Sequence, residues 1–251
     1  MNAVLTPPAA AVLRTEARLF GRELGALFWI VLFPVALVAI LGSIPSFRED
    51  DPNLGGLSTV DVYVPVSVLL SMIMASIMAM PPVVYAYREG GVLRRLSTTP
   101  VGPSAILLAQ VLLHAAAVLA SSVLVLAVGR VAFGTPLPQS VVGYVLAYVL
   151  ALVAAFSIGA AIMAVVPNGR VGTAVGTIVF FPAMFTVGVW VPVQSMPGLM
   201  RDIVGFTPLS ASAEALTDAM AGDFPDLRHL LVVAVWAAVL SLVAVRTFRW
   251  E

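Results

Sequence analysis

The sequence predicts an all-α integral membrane protein with six spanning helices and an amphipathic helix ahead of them. Three observations predict it. Of the 251 residues, 61% are hydrophobic and 10% charged, with a mean hydropathy of +1.05. Soluble domains are about 45–50% apolar and about 25% charged, and no compact soluble fold of this length could bury such a surplus. The apolar residues fall into six runs, at 24–44, 62–84, 106–127, 141–166, 173–191 and 230–245; about 20 helical residues cross the roughly 30 Å hydrocarbon core. No Asp or Glu lies inside any of the six. The whole chain, 1–251, reads as one transmembrane domain.

Residues 8–24 come first. Leu13, Ala17, Phe20 and Leu24 form one helical stripe, and Arg14, Arg18 and Arg22 form another. A basic amphipathic helix joined to a span should lie in the headgroup plane; the plainer alternative makes these arginines topogenic flanks. The run 24–44 is too long for a secretory h-region, and only Ser43, Ile44 and Pro45 stand where a cleavage site would be, so it reads as an uncleaved span. Pro34, Pro65, Pro81 and Pro82 lie in or at the ends of runs, where packed neighbours tolerate kinks. The last run is short and borrows Arg228, His229, Arg246, Thr247 and Phe248 as interfacial flanks, with Trp250 beyond them.

Arginine placement sets the orientation. With the N-terminus inside, Arg14, Arg18, Arg22, Arg88, Arg94, Arg95, Arg170, Arg246 and Arg249 are cytoplasmic, and Arg48, Arg130, Arg201 and Arg228 are external. The positive-inside rule favours this arrangement, and an even number of spans puts both termini in the cytoplasm.

Several chemistries are excluded. There is no cysteine, so no disulfide or thiolate site. The thirteen basic residues are all arginine, which removes a phosphate-loop ATPase and any lysine-based catalysis. His114 and His229 sit in no metal-ligand pattern, so neither a metal site nor a catalytic residue is expected. His114, near Gln110 in the third run, reads either as a polar group lining a substrate path or as an interhelical hydrogen-bonding partner. Spans without carboxylates argue against an ion-coupled carrier. The stretch 186–190 has too few glycines for a carbonyl-lined filter. Gly172 and Gly176 have GxxxG spacing, which would serve packing within one subunit as readily as between two.

The informative segment is the loop 87–101. Gly90 and Gly91 break the preceding helix, and Thr99-Pro100 stops any helix begun after them. One or two helical turns fit between, with Leu93 and Leu96 on one face and Arg94 and Arg95 beside them. Such a helix suits docking into a groove on a soluble partner, although an ordinary topogenic loop would also look like this.

The pattern Arg-Glu-x-Gly-x-Leu-x-x-Leu-x-x-Thr-Pro, from Arg88 to Pro100, resembles the signature loop of type 2 ABC transporter permeases. Many members carry an acidic residue where Tyr87 stands and Thr or Ala where Val92 stands. A second stretch, containing Pro192, Pro197 and then Pro208-Leu209, resembles the family's elements between spans five and six. There the resemblance implies two short re-entrant helices at the external face, matching the helix-permitting stretches 198–205 and 210–221, with Pro192, Pro197, Pro208 and Glu214 as external gate residues. It looks most like the daunorubicin-resistance type of membrane subunit.

What the resemblance implies is a permease subunit of a bacterial inner-membrane exporter. Two copies of a separate ABC-type ATPase would bind ATP and Mg and dock on Arg88, Glu89, Gly90, Gly91, Leu93, Arg94, Arg95, Leu96, Thr99 and Pro100, and a second permease subunit would complete the path. No cofactor on this chain and no nucleic-acid partner are expected. The cargo would be a hydrophobic or amphipathic compound, antibiotic or lipid-like. The competing readings are an ion-coupled secondary carrier and a non-transporting membrane scaffold.

Overall fold

The computed structural model describes residues 7–54, 56–98 and 102–248. In chain order its helices are α1 (Pro7–Phe20), α2 (Leu24–Gly42), α3 (Thr59–Glu89), α4 (Val92–Leu96), α5 (Ser104–Phe133), α6 (Val141–Val165), α7 (Gly169–Val187), α8 (Gly198–Val204), α9 (Pro208–Ala221) and α10 (Leu227–Thr247). Six of them, α2, α3, α5, α6, α7 and α10, are long and apolar enough to cross a membrane. A two-residue antiparallel pair, Asp50–Asp51 with Leu57–Ser58, lies in the link from α2 to α3.

The second span is the axis of the bundle. In α3, 89% of the apolar window is buried, against 17–44% for the other five spans, so α3 is walled by protein while the others turn one side outward. It starts at a capping box in which the Ser58 hydroxyl accepts from the Asp61 amide and the Asp61 carboxylate accepts from the Ser58 amide. Close packing on α3 depends on small residues opposite it. A Cβ on Gly159 of α6 would stand 2.0 Å from the Ser76 carbonyl oxygen, and one on Gly172 of α7 would stand 2.2 Å from the Tyr85 ring. The Gly172/Gly176 pair therefore packs inside the subunit: a Cβ on Gly176 would meet the Ile77 carbonyl oxygen at 3.3 Å. Helices α6 and α10 form the largest pairwise interface and share a Ser157–Ser241 hydrogen bond of 2.7 Å.

Both π-helical segments precede prolines. Phe28–Leu32 in α2 comes just before Pro34, and Met74–Ala79 in α3 just before Pro81 and Pro82. A proline has no N–H for the carbonyl four residues earlier, and the helix adjusts by i→i−5 bonds, Phe33 to Phe28 and Met80 to Ala75.

Several boundaries differ from the sequence reading. The helix expected over 8–24 ends at Phe20, because Arg22 and Glu23 bond the carbonyls of Leu19 and Phe20 in a tightened turn and Glu23 leaves helical geometry. Its packed face is Leu13, Glu16 and Phe20; Ala17 and Leu24 of the expected stripe are exposed. The second span runs on to Glu89 rather than stopping at 84, and the third runs to Phe133 rather than 127. At 30 residues, α5 is about 45 Å long and protrudes from a hydrocarbon core of about 30 Å. The fifth span is shifted back, from 173–191 to Gly169–Val187. Asn168 caps its start by accepting from the Val171 amide, and Gly188, at φ +92°, ends it where a side chain would be strained.

Candidate functional site

One end of the bundle gathers α1, the turn into α2, the end of α3, α4, the α6–α7 turn and the end of α10. Helix α3 ends at Gly90, and Gly91 at φ +67° reverses the chain into α4. Leu93 is fully buried and anchors the five-residue α4; Leu96 is half-buried; Arg94 and Arg95 are exposed. The Arg95 guanidinium donates to the Gly90 carbonyl at 3.1 Å, bracing the turn. Thr99 and Pro100 lie outside the described residues.

Arg88 and Glu89 are engaged within the chain. Arg88 donates to the carbonyls of Met163 and Val166, both at 3.1 Å, at the C-terminal end of α6, and its guanidinium packs over the rings of Tyr85 and Phe248. Glu89 Oε1 accepts from the Gly169 amide at 2.8 Å, at the N-terminus of α7. A cation at a helix C-terminus and an anion at an N-terminus both suit the helix dipole. Two adjacent residues at the end of α3 thus clamp both sides of the α6–α7 turn.

Above this end lies a cavity of about 910 Å³ between α2, α3 and α7. Trp29, Met74, Met78 and Phe180 give it an apolar wall, and Arg22, Glu23 and Tyr87 give it a polar mouth. Each π-helical segment contributes to the wall, the first through Trp29 and the second through Met74, Met78 and Ala79. Helices α2 and α7 scarcely touch, so the cavity has α3 as its back and a gap between the two flanking spans.

The profile of the ABC-2 type transporter family matches residues 9–221. The chain belongs to that family. It is accordingly a multi-pass ABC-2 permease. Comparison with curated protein sequences found no match.

Within this ABC-2 permease, one residue that sequence reasoning passed over joins α1 to the site. Glu16 is only 6% exposed and accepts two hydrogen bonds on Oε2, from the Tyr87 hydroxyl at 2.8 Å and from Gln110 Nε2 at 2.6 Å. Tyr87 supplies a donor for an acid on α1. The signal was present in the sequence: Leu13, Glu16 and Phe20 share a helical face, so a carboxylate sits on the side that packs. Gln110 and His114 are buried beneath α1 and border no part of the 910 Å³ cavity. His114 Nδ1 meets the Gln110 carbonyl of its own helix at 2.8 Å, and its ring packs on Phe20 at 4.8 Å. Arg14, Arg18 and Arg22 are exposed on the other side of α1 and the turn after it.

Burying a carboxylate is costly unless it is fully hydrogen-bonded, and a bond to a charged group contributes about 1.5–3 kcal/mol. Glu16→Ala is expected to release α1 at a cost of about 2–4 kcal/mol, because it also strands the Tyr87 and Gln110 donors. Glu16→Gln, which keeps an acceptor, should cost less than half as much. Thermal melting in detergent reads the stability, and limited trypsin cleavage after Arg18 reads the release. Equal melting of Glu16→Ala and the parent would remove Glu16 as the latch.

At the opposite end, Pro192 starts the 3-10 turn Val193–Ser195, Pro197 precedes α8 and Pro208 opens α9. Glu214 is half-buried in α9. Burial pushes its carboxyl above the usual carboxylate range, assisted by Asp218 and opposed by His229 and Arg201.

Proposed function

We propose that the chain is the permease subunit of a bacterial inner-membrane exporter, driven by two copies of a separate ABC-type ATPase that binds ATP and Mg. The cargo is a hydrophobic or amphipathic compound, antibiotic or lipid-like. Both termini and α4 face the cytoplasm, and α8 and α9 are re-entrant at the external face. The observation that carries this reading is the continuity of α3, which backs the 910 Å³ cavity along one stretch and ends at the loop bearing Arg94 and Arg95. A largely apolar cavity with a few polar groups at one end fits a cargo of matching polarity.

Force on α4 would reach the cavity through α3, and would reach α7 through the Glu89–Gly169 bond. Since α2 and α7 scarcely touch, a second permease subunit set against that gap would close the path. The chain itself performs no chemistry in this scheme; hydrolysis belongs to the partner.

The reading is tested by reconstituting permease and partner ATPase in vesicles and following a fluorescent hydrophobic amphiphile. Accumulation should require ATP and survive collapse of the proton gradient. Filling the cavity with Met78→Trp should cut transport at least about tenfold, because the indole takes space that the cargo needs. Transport that ignores ATP and stops with the gradient would instead establish an ion-coupled carrier.

A further inference from the structure

A second cavity, of about 280 Å³, lies at the end opposite α4, between the 3-10 turn Val193–Ser195, α8, α9 and the start of α10. Its character is the reverse of the first. Arg201 and Asp202 reach it from α8, Glu214 from α9, and Arg228 and His229 from α10. Opposite charges thus share one small space. Yet among the described residues no carboxylate lies within ion-pair distance of either arginine; the single close approach is His229 Nδ1 to Asp218 Oδ2, at 3.5 Å. The Arg228 guanidinium rests over the Phe206 ring at 4.8 Å.

Uncharged groups in the wall are unpartnered as well. Ser210 is fully buried and its hydroxyl has no partner. Two residues on, Ser212 bonds back to the Pro208 carbonyl at 2.7 Å, whereas the corresponding carbonyl for Ser210, that of Phe206, takes the Trp236 indole at 2.9 Å. Gln194 Oε1 is likewise buried without a donor. Buried polar groups are nearly always satisfied in folded proteins, by the chain, by water or by a ligand.

We propose that this cavity binds a small zwitterion, a phosphate or carboxylate joined by a short linker to an ammonium group. Arg201 and Arg228 take the anionic group by charge-assisted hydrogen bonds. Glu214 and Asp202 take the ammonium, with Gln194 Oε1 as a further acceptor. A simple anion would leave the carboxylates unmet, and a simple cation would leave the arginines unmet. Burial raises the Glu214 carboxyl above the usual carboxylate range, with His229 and Arg201 opposing that rise, and an ammonium beside it would add to their effect. The same chemistry is carried by the headgroup of phosphatidylethanolamine in the adjoining leaflet and by a free zwitterion such as glycerophosphoethanolamine.

Binding is measured on the purified full-length permease without ATPase or transport, so its failure would leave the export reading untouched. Calorimetric titration with glycerophosphoethanolamine should show saturable binding, at least about tenfold tighter than glycerol 3-phosphate or ethanolamine alone. Arg228→Gln and Glu214→Gln should each weaken it at least about tenfold. Arg201→Gln, at an exposed position, should do the same with no change in melting temperature, which separates lost binding from lost folding. Native mass spectrometry with phosphatidylethanolamine and phosphatidylglycerol reads the lipid source. Retention of the former alone, without binding of the soluble headgroup, supports the site and assigns it to lipid. Binding of neither probe overturns the proposal, as does glycerol 3-phosphate binding equally well.

Discussion

Replacing Gly159 by leucine is expected to leave no monodisperse permease in detergent. Even the Cβ of alanine would stand 2.0 Å from the Ser76 carbonyl oxygen and 2.9 Å from its carbon. Those are backbone atoms in the most buried span, so no side chain can swing aside to make room. Helices α3 and α6 would have to separate, and overpacking of this kind costs about 1–3 kcal/mol and more where neighbours cannot move. Gly159→Ala should already lower the melting temperature markedly. Gly198→Ala is the control: nothing lies within 4 Å of its added Cβ, and it should melt like the parent. Gly172→Ala should differ in kind, because its obstacle is the Tyr85 ring, a side chain. Truncating Tyr85 should rescue Gly172→Ala in part and should do nothing for Gly159→Ala. If Gly159→Leu elutes and melts as the parent does, the close α3–α6 packing is wrong.

Changes at the α4 loop should separate docking from transmission. Arg94 and Arg95 are exposed beside a buried residue, Leu93, and in the proposed function they meet the ATPase. Replacing both with alanine should prevent the ATPase from co-purifying, since each charge lost from a buried interfacial pair costs about 2–5 kcal/mol. Glu89 holds the α7 N-terminus and Arg88 holds the α6 C-terminus. Glu89→Ala should therefore retain the ATPase and its hydrolysis while transport falls at least about tenfold, a barrier change of about 1.4 kcal/mol. Combining Glu89→Ala with Arg94→Ala should also uncouple the two activities in a permease that still inserts. Transport unchanged in Glu89→Ala would show that the clamp plays no part in coupling.

The six spans could be read from the residues alone, because a bilayer imposes a length and an apolarity that no loop here satisfies. The short helices at 198–204 and 208–221 were legible from Pro and Gly punctuation. The turn into α4 could be placed from Gly90-Gly91 because a left-handed residue there needs no side chain. Boundaries moved where capping outweighed hydropathy: Asn168 started α7 four residues early, and Gly188 stopped it short of the apolar residues beyond.

The rest depended on juxtaposition. Periodicity placed Leu13 and Phe20 on one face but did not say that Tyr87 and Gln110, about 70 to 95 positions away, would bring donors to Glu16 between them. The GxxxG spacing was equally suited to a dimer, and the Tyr85 ring lying over Gly172 assigns it to the subunit's own core. Prolines announced irregular helices; that both π-helical segments border one cavity comes from how α2 packs beside α3. The loop motif marked Arg88 and Glu89, but it carries no record of the α6–α7 turn whose carbonyls and amide they hold. Hydrophobic content and local backbone preference are properties of a chain segment, so they are written in its order. Burial of a charge, the fit of a glycine and the shape of a cavity arise between segments, and they exist only once the helices have met.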